Sequence, residues 1–135
     1  MGMKKILLDT NAYSQLLIGN ETVLNTICLA DTVYMSVFVL GELYAGFHGG
    51  TKKQANEDIL QRFLRKPKVK ILNATIETSE FFAQIKNALK QAATPIPIND
   101  VWISAHALET GSTLVTFDKH FSFVKGLRLK SIEKK

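Results

Sequence analysis

Apolar and polar positions in this chain switch repeatedly between two periods, and the switches outline its elements. Lys5–Leu8 is a short apolar run closed by Asp-Thr-Asn. A strand buried on both faces of a parallel sheet has this appearance. Residues 12–18 continue in helix-compatible types until Gly19-Asn20 breaks them. In residues 21–30, Val23, Leu24, Ile27 and Cys28 recur at three-and-four spacing, which predicts a second short helix with Cys28 as a small core residue. Thr32–Ser36 is a second strand candidate.

Residues 38–47 place Leu40, Leu43, Tyr44 and Phe47 at i, i+3, i+4 and i+7, a helical stripe that leaves Glu42 off its face. Gly49-Gly50 ends that helix, and Thr51 is the expected N-cap of the next, residues 52–65. Val69–Leu72 predicts a third strand and residues 75–93 a long helix. Thr94-Pro95-Ile96-Pro97 reads as a stiff extended connector, because a residue before proline is pushed out of the α region. Asn99 and Asp100 open a further helix that Gly111 ends. Thr113–Thr116 is a fourth strand, and residues 127–132 alternate as a half-exposed edge strand would. About five short strands alternating with helices predict an α/β sandwich with a mainly parallel sheet. Length and composition fit one domain over residues 1–135, with 46% hydrophobic and 21% charged residues.

No apolar run approaches the roughly 18–20 residues of a membrane span. Asp9 and Asn11 interrupt the apolar stretch after the basic start too early for a secretory leader. One cysteine excludes an internal disulfide and a multi-cysteine zinc site, and a cytoplasmic location is the simplest expectation. The net charge is +5. Between positions 52 and 70, Lys52, Lys53, Arg62, Arg65, Lys66, Lys68 and Lys70 face only Glu57 and Asp58, and the tail adds more lysines through Lys134 and Lys135. Such clusters attract phosphate backbones, although a solvated lysine surface looks the same.

Four acids stand where strands end or helices begin: Asp9, Glu42, Asp100 and Asp118. Each has a structural role open to it, as a cap, a first-turn acid or a turn residue, except Glu42, which lies in an apolar segment. In α/β sheets, ligands bind beyond the carboxyl ends of the strands. Carboxylates gathered there repel one another unless a divalent ion joins them, and hard oxygen donors suit Mg²⁺ or Mn²⁺. His48, His106 and His120 lack the spacing of a zinc motif and read as structural or exposed. Phosphate-loop, dinucleotide and serine-elbow signatures are absent.

Leu8-Asp9-Thr10-Asn11, Ser36 with Gly41-Glu42-Leu43, residues 96–103 (Ile-Pro-Ile-Asn-Asp-Val-Trp-Ile) and residues 114–121 (Leu-Val-Thr-Phe-Asp-Lys-His-Phe) follow one another in a familiar order. In these pieces the chain resembles the PIN-domain ribonucleases, and among them the VapC toxins of toxin–antitoxin pairs. The resemblance implies a three-layer sandwich whose acids cluster at one edge. It implies a catalytic set of Asp9, Glu42, Asp100 and Asp118, with Asp9, Asp100 and Asp118 holding Mg²⁺ or Mn²⁺. Thr116 and Asn11 would support them from behind.

It further implies an endoribonuclease that cuts structured RNA, a small VapB-like antitoxin, and a homodimer. Lys52, Lys53, Arg62, Arg65 and Lys66 are the expected RNA-backbone contacts; the apolar helices at 38–47 and 59–64 suit either partner surfaces or core, which sequence does not separate. Phe117 and Thr94 depart from the family pattern, where a polar or basic residue and a glycine are common. Neither is an acid, so these departures bear on substrate choice rather than on metal. The alternative is a catalytically silent PIN-fold module that binds RNA or protein; a receiver-type domain is disfavoured because the third strand ends in Leu72-Asn73.

Overall fold

The structure is a computed structural model that describes residues 4–133, so the expectations placed on the first three residues and on Lys134 and Lys135 lie outside the described residues. The predicted strands are β1 (Lys5–Leu8), β2 (Thr32–Ser36), β3 (Val69–Leu72), β4 (Thr113–Thr116) and β5 (Arg128–Ser131). They form one sheet in the order β3-β2-β1-β4-β5, with every neighbouring pair parallel. Ile6, Leu7 and Leu8 of the central strand are fully buried, which is why β1 is apolar without alternation.

Six helices connect the strands: α1 (Thr10–Leu17), α2 (Glu21–Leu29), α3 (Val37–His48), α4 (Lys53–Leu64), α5 (Ile76–Gln91) and α6 (Ile98–Thr110). The chain winds from β1 outward to β3, then returns across the sheet to β4. Right-handed crossovers therefore put α1–α4 on one face and α5–α6 on the other, and the packing of α1 on α2 and α3, of α3 on α4, and of α5 on α6 agrees. The winding reverses between β1 and β4. That switch point opens a crevice at the carboxyl edge, the usual ligand position in such sheets.

Two apolar centres hold the layers. The larger packs α1, α3 and α4 against the sheet through Ala12, Tyr13, Val39, Leu40, Leu43, Leu60 and Phe63. The smaller lies under α5 and α6, with Ile85, Leu89, Ile96, Val101, Ala105 and Val124. The structure corrects several local expectations. Helix α1 starts at Thr10, because Asp9 itself is its cap. The N-cap of α4 is Lys52, with no side-chain cap bond, rather than Thr51.

Cys28 is exposed, not in the core, because only Val23 and Thr26 of α2 are fully buried and the opposite side of that helix faces solvent. In the apolar stretches at 38–47 and 59–64, Val39, Leu40, Leu43, Leu60 and Phe63 are buried in the core, while Phe38, Tyr44, Phe47 and Leu64 are half-buried. A 3₁₀ turn over Lys119–Phe123 follows β4, where no element was expected. No helix of the described residues is long and apolar enough to cross a membrane.

Candidate active site at the carboxyl edge of the sheet

Two central strands and two helix starts deliver the four acids to the switch point. Asp9 follows β1 and caps α1: its Oδ1 accepts the Ala12 amide at 2.8 Å. Its Oδ2 accepts the hydroxyl of Thr116, the last residue of β4. Thr116 Oγ1 in turn accepts the Asp118 amide at 3.0 Å. One hydroxyl thus ties the ends of both central strands to two of the acids. Asp100 lies in the first turn of α6. Glu42 is exposed on α3 and its Oε1 accepts the Thr10 hydroxyl at 2.7 Å.

Charge at this edge is strained. Asp9 is 3% exposed, and burial pushes its carboxyl up to about 6. The Thr116 and Ala12 bonds pull it down, while the charges of Asp118 and Asp100 push it further up. Asp100 is also raised, chiefly by burial; His120 lowers it, and Glu42 and Asp118 raise it. Asp9 therefore feels the charges of Asp100 and Asp118, and Asp100 those of Glu42 and Asp118. Among the described contacts, the one basic side chain that meets any of them is His120, whose Nε2 is 2.8 Å from Asp100 Oδ2. His120 is the site residue that sequence reasoning passed over. Its contact spans twenty positions and depends on the 3₁₀ turn after Asp118, so no helical or strand period announces it.

The donor set consists of oxygens with an excess of negative charge, and that chemistry fits a divalent ion of the Mg²⁺ or Mn²⁺ type. The side chains do not close a cage. Asp9 faces Thr116, Asp100 faces His120 and Glu42 faces Thr10. Among the described residues no three His, Cys, Asp or Glu are posed to hold an ion together. Mg²⁺ retains several waters and needs only one or two carboxylates beside substrate phosphate, so an open set is compatible with it.

The remaining expected residues are more scattered. Asn11 is exposed on the first turn of α1, and the hydroxyl from that turn that reaches an acid is Thr10. Lys53 pairs with Glu57 at 3.0 Å. Arg65 and Lys66 lie where α4 leads into β3; the Lys66 carbonyl accepts the Val69 amide. They therefore sit at the amino edge of the sheet, opposite the acids. Lys52 and Lys53 are at the other end of α4, about 18 Å away by helix rise. Beside Glu42 runs an open groove of about 340 Å³ lined by Val37, Phe38, Gly41, Ala45 and Asn99.

Known proteins are similar in sequence and fold over most of the chain. The chain is 30% identical over 105 residues to the ribonuclease VapC2 of Rickettsia felis, covering 77% of each chain. It is 25% identical over 127 residues to the ribonuclease VapC1 of Haemophilus influenzae, covering 90% of this chain and 93% of the relative. Among solved structures, VapBC2 of Rickettsia felis bound to a promoter DNA fragment superposes with a TM-score of 0.86 at 26% identity, over 96% of this chain and 99% of that one. VapBC-1 of nontypeable Haemophilus influenzae shares the fold with a TM-score of 0.83, at 22% identity over 94% and 97% of the two chains. The PIN domain matches residues 6–127, a stretch that begins inside β1 and ends one residue before β5; the chain belongs to the PIN-domain family.

Proposed function

We propose that this protein is an endoribonuclease of the VapC kind, the toxin of a toxin–antitoxin pair. The observation that carries the reading is the convergence of Asp9, Asp100, Asp118 and Glu42 on the β1/β4 switch point, with burial and mutual repulsion raising Asp9 and Asp100. The relatives named ribonuclease VapC supply the substrate class.

Asp9, Asp100 and Asp118 would hold Mg²⁺ or Mn²⁺, which when bound supplies Lewis-acid polarisation of the scissile phosphate and a water of lowered pKa. The chain's own groups do the rest. Thr116 and the Ala12 amide each hold one oxygen of Asp9 and so fix its carboxylate at the end of β1. His120 holds one oxygen of Asp100 and leaves the other available. Glu42 is exposed, anchored at one oxygen by Thr10, and its second oxygen is placed to orient the attacking water and accept its proton. No covalent intermediate with the protein is required. Structured RNA with exposed single-stranded loops is the preferred substrate, because unstacked nucleotides bend most easily into an open crevice.

A small VapB-like antitoxin is the expected partner, in keeping with the VapBC complexes among the structural neighbours, and the toxin is expected to be a homodimer in the cytoplasm. The antitoxin surface we favour is the α1–α2 hairpin. There Leu17, Ile18, Leu24 and Leu29 are exposed, with Ile18 at 75% and Leu29 at 70%. Exposed apolar residues on one hairpin suit a protein partner.

Induced expression tests the reading. It should arrest growth, co-expression of the cognate antitoxin should restore it, and Asp100→Asn should be harmless. Arrest by Asp100→Asn equal to wild type would leave only a binding module.

A further inference from the structure

The fold also buries a histidine close to the site. His106 on α6 is 1% exposed, and nothing in the mechanism above uses it. Its Nε2 lies 3.1 Å from the Asn73 carbonyl after β3. Its Nδ1 lies 2.8 Å from Oγ of Ser36, the last residue of β2. Ser36 Oγ also accepts the Phe38 amide at 3.1 Å and so caps α3.

These partners determine the tautomer. A carbonyl oxygen only accepts, so Nε2 carries the proton. Burial pushes His106 below its ordinary value, against smaller opposing pulls from the Asn73 bond and Glu109, so the ring is neutral. Nδ1 is then an acceptor and the Ser36 hydroxyl donates to it. Serine, histidine and asparagine carbonyl form a one-way chain with every polar atom satisfied.

The chain joins the two helices that carry acids. Glu42 lies six residues after Ser36 on α3, and Asp100 six residues before His106 on α6, each about 9 Å from the junction by helix rise. The same junction is braced by Asn99 Nδ2 donating to the Phe38 carbonyl at 3.3 Å. It is also braced by the Phe38 ring stacked on Trp102, with centroids 5.0 Å apart. We propose that His106, in its neutral Nε2–H form, is a positioning residue that clamps α6 to the β2–α3 junction and sets the Asp100–Glu42 spacing. The inference rests on the nuclease reading above. A tilt of about 6° at the clamp moves a carboxylate ~9 Å away by roughly 1 Å, and a displacement of that size costs about 100-fold in rate.

Three variants and one spectrum test it. Asparagine at 106 places an acceptor near the Nδ1 position, and glutamine places a donor near Nε2. His106→Asn should therefore restore the Ser36 link, whereas His106→Gln should keep only the Asn73 contact. Thermal unfolding, Mn²⁺ binding by electron paramagnetic resonance, and RNA cleavage are measured on each. The expected result is that His106→Ala and His106→Gln lose about tenfold or more in Mn²⁺ affinity and kcat, while His106→Asn stays within about threefold of wild type, even where all three are similarly destabilised. Equal losses in His106→Asn and His106→Gln, or none in a folded His106→Ala, would overturn the proposal.

Should the alanine variant not fold, the imidazole ¹⁵N spectrum of wild type still decides, since a charged ring or an Nδ1–H tautomer at pH 7 contradicts the clamp. Asp100→Asn separates the two readings. If it binds Mn²⁺ and cleaves like wild type, the nuclease site is wrong; if it fails while His106→Ala does not, only the clamp is wrong.

Discussion

Replacing Asp9 with asparagine should inactivate the protein and make its metal-free fold more stable. Asp9 is 3% exposed, and its carboxyl is raised from 3.8 to about 6, chiefly by burial. At roughly 1.4 kcal/mol per pH unit, the ionised group costs the fold about 3 kcal/mol above pH 6. For a raised acid the sign is fixed. Below 3.8 the group is protonated in folded and unfolded chains alike and costs nothing; the cost grows between 3.8 and about 6 and is complete above.

Asparagine is as good an N-cap as aspartate and still accepts the Ala12 amide. It cannot accept the Thr116 hydroxyl with the amide that replaces Oδ2, which returns about 1 kcal/mol. The net gain is about 2 kcal/mol. For a chain of this size, at about 2.1 cal/mol/K of unfolding entropy per residue, that is a rise in Tm of roughly 7 °C.

The assay is thermal unfolding of wild type and Asp9→Asn in EDTA from pH 3.5 to 8. The buried His106, lowered by desolvation, loses stability as pH falls below its unfolded value of 6.5; it is common to both proteins and cancels in the difference. The gap should be largest near pH 8 and vanish near pH 3.5, and Mn²⁺ should close it from the wild-type side by stabilising only the protein that binds it. An Asp9→Asn protein less stable than wild type at pH 8, or a gap independent of pH, would refute the reasoning.

Thr116→Val removes the hydroxyl shared by Asp9 and the Asp118 amide; urea unfolding should record a loss of about 1–3 kcal/mol, together with weaker cleavage. Arg65→Ala and Lys66→Ala should leave cleavage within about twofold of wild type, because a basic residue at the far edge of the sheet lies beyond the roughly 8–10 Å over which exposed charges act in physiological salt. Ile18→Asp and Leu29→Asp should change stability by no more than about 0.5 kcal/mol. They should still weaken antitoxin binding by about tenfold or more in surface plasmon resonance, the effect of charging the centre of an apolar contact.

Much of the scaffold was legible because burial imposes period on sequence. The unbroken Ile6-Leu7-Leu8 run announced the central strand, and Asp-Thr-Asn announced its end. That the candidate acids would gather at one edge was legible for a topological reason: strand ends and helix starts in an α/β chain meet there. What stayed hidden depends on partners distant in sequence. Leu24 and Cys28 repeat the spacing of buried residues, yet α2 has core on one side alone, so they face solvent. The apolar face of α3 looked equally suited to core or partner, and only its packing on α1 and α4 puts Val39, Leu40 and Leu43 in the core. His120 and His106 carry no motif. One meets Asp100 through a 3₁₀ turn, the other meets Ser36 across the sheet edge, and both contacts arise only on folding.

Metal-dependent RNA cleavage is the decisive property. Purified protein, freed of antitoxin, is incubated with total RNA in Mg²⁺ or Mn²⁺ and in EDTA, alongside Asp9→Asn and Asp100→Asn. Wild type should give discrete fragments with either ion and none in EDTA, and the two variants should give none. Fragments of the same pattern and yield in EDTA, or from either variant, would contradict it.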